Sequence, residues 1–207
     1  MVQSFEGVDM SNNVVRVNPT SVKAYERDAQ AKFASMHQEL DRLVRDVVDV
    51  HYFGPNAVLF KQDCGALATE FANGLSKQLG GIAAAVNTAT SNIAASLGAA
   101  RSTLTWEAKP FNAPAPPAGD GSVDVDTSAL TGLKSTVTTH FTAIRSALDE
   151  HLSSLTRTDW TGNAKDGVVA EVTSRTNASK SQVDTAQTKL TNFIQQQVED
   201  VVKADNA

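Results

Sequence analysis

Apolar residues in the first half of the chain recur at steps of three and four, the period of an amphipathic helix with one buried face. The stripe runs from residue 22 to residue 47, breaks, and resumes from residue 64 to residue 93. We predict a long helical hairpin over residues 15–104, with Tyr52, Phe53 and Gly54 at its turn. Its apolar positions are Val22, Ala29, Phe33, Met36, Leu40, Leu43 and Val47, then Cys64, Leu67, Phe71, Leu75, Leu79, Ile82, Val86 and Ile93.

The second half of the chain carries the same alternation of helix, turn and helix. We predict a second hairpin over residues 123–207, with Trp160, Thr161 and Gly162 at its turn. Its apolar positions are Leu130, Leu133, Val137, Ile144, Leu148, Leu152 and Leu155, then Val168, Val172, Val183, Leu190, Ile194, Val198 and Val201.

The two halves are an internal repeat. "VRVNPTSV" begins at residue 15 and "VDVDTSAL" at residue 123, which is 108 positions later. In both, a short extended stretch precedes a helix start, where Asn18 and Asp126 are candidate N-caps and Pro19 suits the first helical position. The same ungapped offset aligns the turn at 52–54 with the turn at 160–162, so that Tyr stands where the second copy has Trp.

A proline-rich linker separates the copies. Residues 105–122 contain four of the six prolines, which favour extended backbone. Residues 107–122 alone reach on the order of 50 Å at about 3.1 Å per residue, and a thirty-residue helix spans about 45 Å. The linker can therefore run along a whole hairpin, and we predict an all-α fold of two tandem long helical hairpins packed as an antiparallel four-helix bundle. Residues 1–14 are predicted to be a flexible tail.

Composition and charge argue against several classes of function. The net charge of −5 and pI near 5.3 argue against a nucleic-acid partner, which needs clustered Lys and Arg. No apolar run approaches the length of a transmembrane helix, so we expect no membrane contact in the resting form. The N-terminal residues lack the basic start and apolar run of a cleavable signal peptide. Cys64 lies in the apolar register and is interpreted as a small buried hydrophobe.

No catalytic constellation emerges from the polar residues. The histidines, His37, His51, His140 and His151, do not place two rings on one helical turn, and no metal-ligand or phosphate-loop motif is present. Paired carboxylates, such as Asp46 with Asp49 and Glu199 with Asp200, lie among exposed charges and fit solvated helix faces. We therefore expect a non-enzymatic protein without cofactor, metal or catalytic residues.

A long helix, a Trp-x-Gly turn and a second long helix, in a unit near one hundred residues, make the chain similar to the WXG-motif family. These small helical hairpins are associated with type VII (ESX) secretion. The match is best from Leu130 to Val201, with Trp160 and Gly162 as the motif. The resemblance implies a substrate or partner of type VII secretion in a Gram-positive or actinobacterial host. Members pair antiparallel as four-helix bundles, so this tandem chain is expected to bind a protein partner or to pair with itself.

Export signals of this family have the form Tyr-x-x-x-Asp/Glu after the second helix. Here Tyr25 is followed four residues later by Ala29, and Tyr52 by Asn56. We therefore expect a cytoplasmic protein before any export, and type VII secretion without a cleavable signal peptide would require a partner that carries the signal.

Several alternatives stay open at this point. Trp160 and Gly162, like Tyr52 and Gly54, either form a recognition surface or simply pack at a turn. The hairpins could instead build an intracellular self-assembling scaffold. A pore-forming module is a third option, because residues 74–100 are rich in Gly and Ala at helical spacing. Pairing within one chain and pairing between two chains satisfy the same apolar stripes, so the pattern leaves the oligomeric state open.

Overall fold

A computed structural model describes residues 15–98, 101–117 and 122–205, so the expected tail at 1–14 lies outside the described residues. Within these ranges the chain forms four long helices and four two-residue strands, which confirms the all-α prediction. The helices are α1 (Pro19–Asp46), α2 (Pro55–Leu97), α3 (Thr127–Arg157) and α4 (Asn163–Asp205). The strands are β1 (Arg16–Val17), β2 (Tyr52–Phe53), β3 (Asp124–Val125) and β4 (Trp160–Thr161).

The internal repeat is kept in three dimensions. Helices α2 and α4 are each 43 residues long, and their first and last residues are related by the same offset of 108 positions. Asn18 caps α1 by accepting hydrogen bonds from the backbone N–H groups of Thr20 and Ser21 at 3.0 and 3.3 Å. Asp126 caps α3 by accepting from Ser128 N at 2.7 Å. Both predicted caps are therefore confirmed.

The four helices pack as an antiparallel bundle, as predicted. Helix α1 lies against α3, α3 against α4, and α4 against α2. Tyr25 near the start of α1 meets His151 near the end of α3, which fixes their opposite directions. Cys64 is fully buried, and burial raises the pKa of its thiol to about 12, as expected for a small hydrophobe. The largest fully buried side chains are Trp160, Phe33, Phe141, Met36, Leu40, Leu43, Leu75, Leu79, Ile82, Leu130, Ile144 and Leu148.

The segment 101–117 runs back along the bundle in the groove between α1 and α2. Helix α2 ends at Leu97, before the expected hairpin boundary at residue 104, because Gly98 adopts a left-handed φ of 65° and its N–H closes on the Ala94 carbonyl. From there the segment returns toward the turn at residues 52–54, burying Leu104 and Phe111 on the way. Its length allows this path, as the sequence indicated.

The backbone of segment 101–117 forms hydrogen bonds with side-chain amides of α2, as it would with a neighbouring strand in a sheet. The amide of Asn87 donates to the Leu104 carbonyl at 2.8 Å and accepts from its N–H at 2.9 Å. Asn73 makes the same pair of bonds with Phe111, at 3.0 and 2.9 Å. A backbone buried in a groove must satisfy its polar groups, and an amide offers one donor and one acceptor at the required spacing. The segment is therefore an integral part of the first hairpin.

Two glycines of α2 lie beneath side chains from neighbouring elements. Trp106 lies over Gly80, and Arg175 of α4 lies over Gly81. Small residues here leave room for large neighbours, which is a packing role. Among the described residues, no helix has a stretch apolar enough to cross a membrane.

Candidate functional site: the two hairpin tips

Each hairpin turn is paired with the lead-in strand of the other copy. β1 pairs antiparallel with β4, so that Val17 faces Trp160, and β2 pairs antiparallel with β3, so that Tyr52 faces Val125. The offset of 108 positions converts one pairing into the other. Because α1 and α3 run in opposite directions, the two pairs lie at opposite ends of the bundle. We call the 52–54 end, with β3, tip 1, and the 160–162 end, with β1, tip 2.

The turn glycines are required by backbone conformation and by close approach. Gly54 has φ of 120° and Gly162 has φ of 111°, a region that residues with a Cβ rarely adopt. In addition, a Cβ on Gly162 would lie 3.1 Å from Val15 Cγ2, and one on Gly54 would lie 3.3 Å from Val123 Cγ2. Val15 and Val123 are themselves equivalent positions of the repeat. Each glycine therefore admits the lead-in valine of the opposite copy.

The two aromatic turn residues are buried, which matches the packing interpretation. Trp160 is 1% exposed and Tyr52 is 4% exposed. The Tyr52 hydroxyl accepts a hydrogen bond from Gln197 Nε2 at 3.0 Å, whereas Trp160 Nε1 is buried without a hydrogen-bond partner among the described residues. The residue equivalent to Gln197 in the first copy is Ala89. The smaller Tyr52 ring is thus bonded to the long Gln197 side chain, whereas the copy that matches the larger Trp160 ring has the short Ala89 at this position.

The two tips differ in the side chains that surround the turn. At tip 1, His51 packs edge-on against Phe53 at 4.9 Å and its Nε2 lies 3.1 Å from Asp124 Oδ2. Lys61 Nζ lies 4.9 Å from the Phe53 ring centre, and burial lowers the pKa of this lysine. Phe53 itself is half-buried.

At tip 2 the turn is closed by polar contacts with the start of α1. Asn18 donates its backbone N–H to the Asp159 carbonyl at 2.9 Å and its side-chain amide to Asp159 Oδ2 at 3.1 Å. Asp159 N donates to Ser21 Oγ at 2.8 Å. Thr161 is exposed beside these contacts. Tip 2 is therefore closed by hydrogen bonds between Asp159 and the start of α1, whereas at tip 1 the Phe53 ring is in contact with His51 and Lys61.

Tip 1 also borders a groove of about 720 Å³ between the turn, the lead-in strand and the last turns of α4. Val123, Val201 and Val202 contribute apolar surface, while Asp200 and Asp205 add negative charge. Val123 is 71% exposed and Val202 is 45% exposed, while Val15, the equivalent of Val123 at tip 2, is 43% exposed. The sequence prediction missed this groove. The available signal was Val123 and Val202, two valines that lie outside the predicted apolar stripe.

Two histidines join α1 to α3. His140 places Nδ1 2.7 Å from Glu39 Oε2 and Nε2 2.8 Å from Asp46 Oδ2. His151 is fully buried, with Nε2 3.0 Å from the Tyr25 hydroxyl, and burial lowers its pKa to about 4. Burial likewise raises the pKa of Tyr25. Both clusters connect helices, and no group of three His, Cys, Asp or Glu residues within the described ranges is placed to hold a metal ion.

Comparison with known proteins adds no family to this picture. No protein-family model matches the chain, and neither curated proteins nor solved structures show a significant similarity to it.

Proposed function

We propose that the chain is a non-enzymatic interaction protein of the WXG type that serves as a substrate or partner in type VII (ESX) secretion. The observation that carries this proposal is the pair of reciprocal tips. Each consists of an aromatic-x-Gly turn clasped by the lead-in strand of the other hairpin. One chain thereby builds the antiparallel pair of hairpins that the resemblance implies for two chains. The protein resides in the cytoplasm before any export.

Partner binding takes place at the groove of tip 1. The exposed valines there leave apolar surface in water, and burial of such surface drives association. Asp200 and Asp205 border the same groove, so a partner segment with an apolar side chain next to Lys or Arg complements it in shape and charge. Because neither tyrosine of this sequence is followed four residues later by Asp or Glu, this partner also supplies the export signal when the protein is exported.

Site-specific crosslinking tests the binding site. A photoreactive phenylalanine analogue is introduced at position 123, and the matched control carries it at position 15, the equivalent position at tip 2. We expect a crosslinked partner from position 123 that is absent from position 15. Val123→Asp should abolish an interaction that Val15→Asp preserves. Crosslinks of equal yield from both tips, or from neither, would contradict binding at the tip 1 groove.

Fractionation of the native host tests the secretion role. The protein and its crosslinked partner are followed in cytosol, membrane, wall and medium, with the type VII ATPase present or deleted. Export of either one that depends on the ATPase supports the proposal. Confinement of both to the cytosol in each strain refutes it. Large homo-oligomers by light scattering in that case would support the scaffold alternative.

A further inference from the structure

The repeat allows the closure of the two tips to be compared position by position. At both tips, a ladder of two residue pairs joins the lead-in strand of one hairpin to the turn of the other. Both turn rings are buried, and both turn glycines lie close to a lead-in valine. Because these features are shared, a difference in how firmly the tips close comes from contacts outside the ladder.

At tip 2, three hydrogen bonds outside the ladder join the two hairpins. Asn18 donates its backbone N–H to the Asp159 carbonyl at 2.9 Å and its side-chain amide to Asp159 Oδ2 at 3.1 Å. Ser21 Oγ accepts a hydrogen bond from Asp159 N at 2.8 Å. These bonds connect residues that follow β1 with the residue that precedes β4. Separation of the two segments therefore breaks all three.

At tip 1 the equivalent residues, His51, Asp126 and Ala129, make none of these three bonds within the described part of the chain. Ala129 has no side-chain acceptor, and the Asp126 carboxylate has no N–H to donate. Instead, His51 Nε2 lies 3.1 Å from Asp124 Oδ2. Both of these side chains are more than half exposed, and an exposed pair of this kind contributes little to stability.

Two further side-chain contacts at tip 1 involve β2 and not β3. Gln197 of α4 donates a hydrogen bond to the Tyr52 hydroxyl at 3.0 Å. Lys61 of α2 lies over the Phe53 ring, with Nζ 4.9 Å from the ring centre. Both contacts join β2 to a helix, so they stay intact when β3 leaves.

We propose that the pairing of β3 with β2 at tip 1 opens reversibly while tip 2 stays closed and the helices stay packed. Each of the three bonds that tip 1 lacks changes the balance between closed and open forms by a factor of about 2 to 10. Tyr52 and Val125 face each other in this pairing and line the tip 1 groove. Opening therefore enlarges the apolar surface of the groove. This property belongs to the fold and is independent of the secretion role.

Hydrogen exchange in the native full chain measures this opening. The amides of β2 and β3 are compared with the equivalent amides of β4 and β1, after correction for their intrinsic exchange rates. We expect exchange to be at least tenfold faster at tip 1, because local opening governs the least stable contacts of a fold. Low concentrations of urea should hardly change the rates at tip 1, since opening of a short strand exposes little surface. They should increase the rates at tip 2 more steeply.

Reciprocal variants test whether the three bonds are the cause. His51→Asp, Asp126→Asn and Ala129→Ser together copy the tip 2 residues into tip 1, and asparagine preserves the N-cap of α3. This triple variant should slow exchange in β2 and β3 about tenfold. The matched control Ser21→Ala copies the alanine of tip 1 into tip 2. It should speed exchange in β1 and β4 about threefold and leave tip 1 unchanged.

Three results would overturn the proposal. The first is equal protection of the two tips, or faster exchange at tip 2. The second is a steep urea dependence at tip 1, which would mean that its amides exchange only through global unfolding. The third is a triple variant with a native circular dichroism spectrum and unchanged exchange in β2 and β3.

Discussion

Replacing Trp160 with alanine should produce a large loss of stability. The side chain is 1% exposed at the point where β4 meets β1, so its removal leaves a cavity at the junction of the two copies. Deletion of a buried Trp side chain costs about 3–5 kcal/mol, from lost apolar burial plus the unfilled cavity. For a domain of this length that corresponds to a fall in Tm of about 6–20 °C. Such a loss is a large share of the typical total stability.

Trp160→Phe separates packing from hydrogen bonding. The indole N–H has no partner among the described residues, so phenylalanine loses no bond and removes a buried donor whose desolvation costs about 1–3 kcal/mol. This gain offsets part of the cost of the smaller ring. We expect Trp160→Phe to change stability by less than about 1.5 kcal/mol.

Urea unfolding followed by circular dichroism at 222 nm measures both variants, and an unchanged m-value shows that the comparison is valid. A loss below about 1 kcal/mol for Trp160→Ala would refute the reasoning, because it would mean that the ring contributes little to the core. Equal losses for the Ala and Phe variants would refute the assignment of the N–H as unpaired.

The remaining predictions concern the turns, the buried histidine and the cysteine. Gly162→Ala and Gly54→Ala should each destabilise by about 1–2 kcal/mol in urea unfolding, whereas the helical controls Gly132→Ala and Gly167→Ala, which meet open space, should stabilise by up to about 1 kcal/mol. Because the pKa of His151 falls from 6.5 to about 4 on folding, the unfolded chain binds the extra proton between these values. Stability should therefore drop by up to about 3 kcal/mol as pH falls from 6.5 to 4, and His151→Phe should flatten this part of the profile; an unchanged slope in the variant contradicts the assignment. Cys64 should resist a thiol reagent until the protein is unfolded, and rapid labelling of the native chain would show that it is accessible.

The helices could be predicted because their signals are local. Apolar residues at steps of three and four show where the helices lie. The side-chain acceptors Asn18 and Asp126 show where α1 and α3 begin. The antiparallel bundle could be predicted from the offset of 108 residues between the copies and from the length of the linker. The strand pairing at each tip could not be predicted, because a strand of two residues is too short to show a periodic pattern. Which strand it pairs with depends on how the two hairpins pack.

The linker shows a signal that the sequence reading overlooked. Trp106 and Phe111 are large apolar residues in a segment interpreted as a spacer, Leu104 directly precedes that segment, and all three pack on the first hairpin. Their partners Asn73 and Asn87 are polar residues within a predicted helix, where nothing local reveals that their amides bind backbone. Such contacts depend on tertiary placement and are invisible to periodicity.

Comparison of the two copies separates what folds the chain from what gives it function. Positions with the same role in both copies, such as the turn glycines and the N-caps, serve an architecture that the chain builds twice. Positions that differ, such as Val202 against Ala94 at the tips, are free of that shared requirement. At the tip 1 groove Val123 matches Val15, whereas Val201 and Val202 stand where the first copy has Ile93 and Ala94. Exchanging such residues between the copies should therefore alter binding while the bundle stays folded, whereas changes at the shared positions should lower stability at either end.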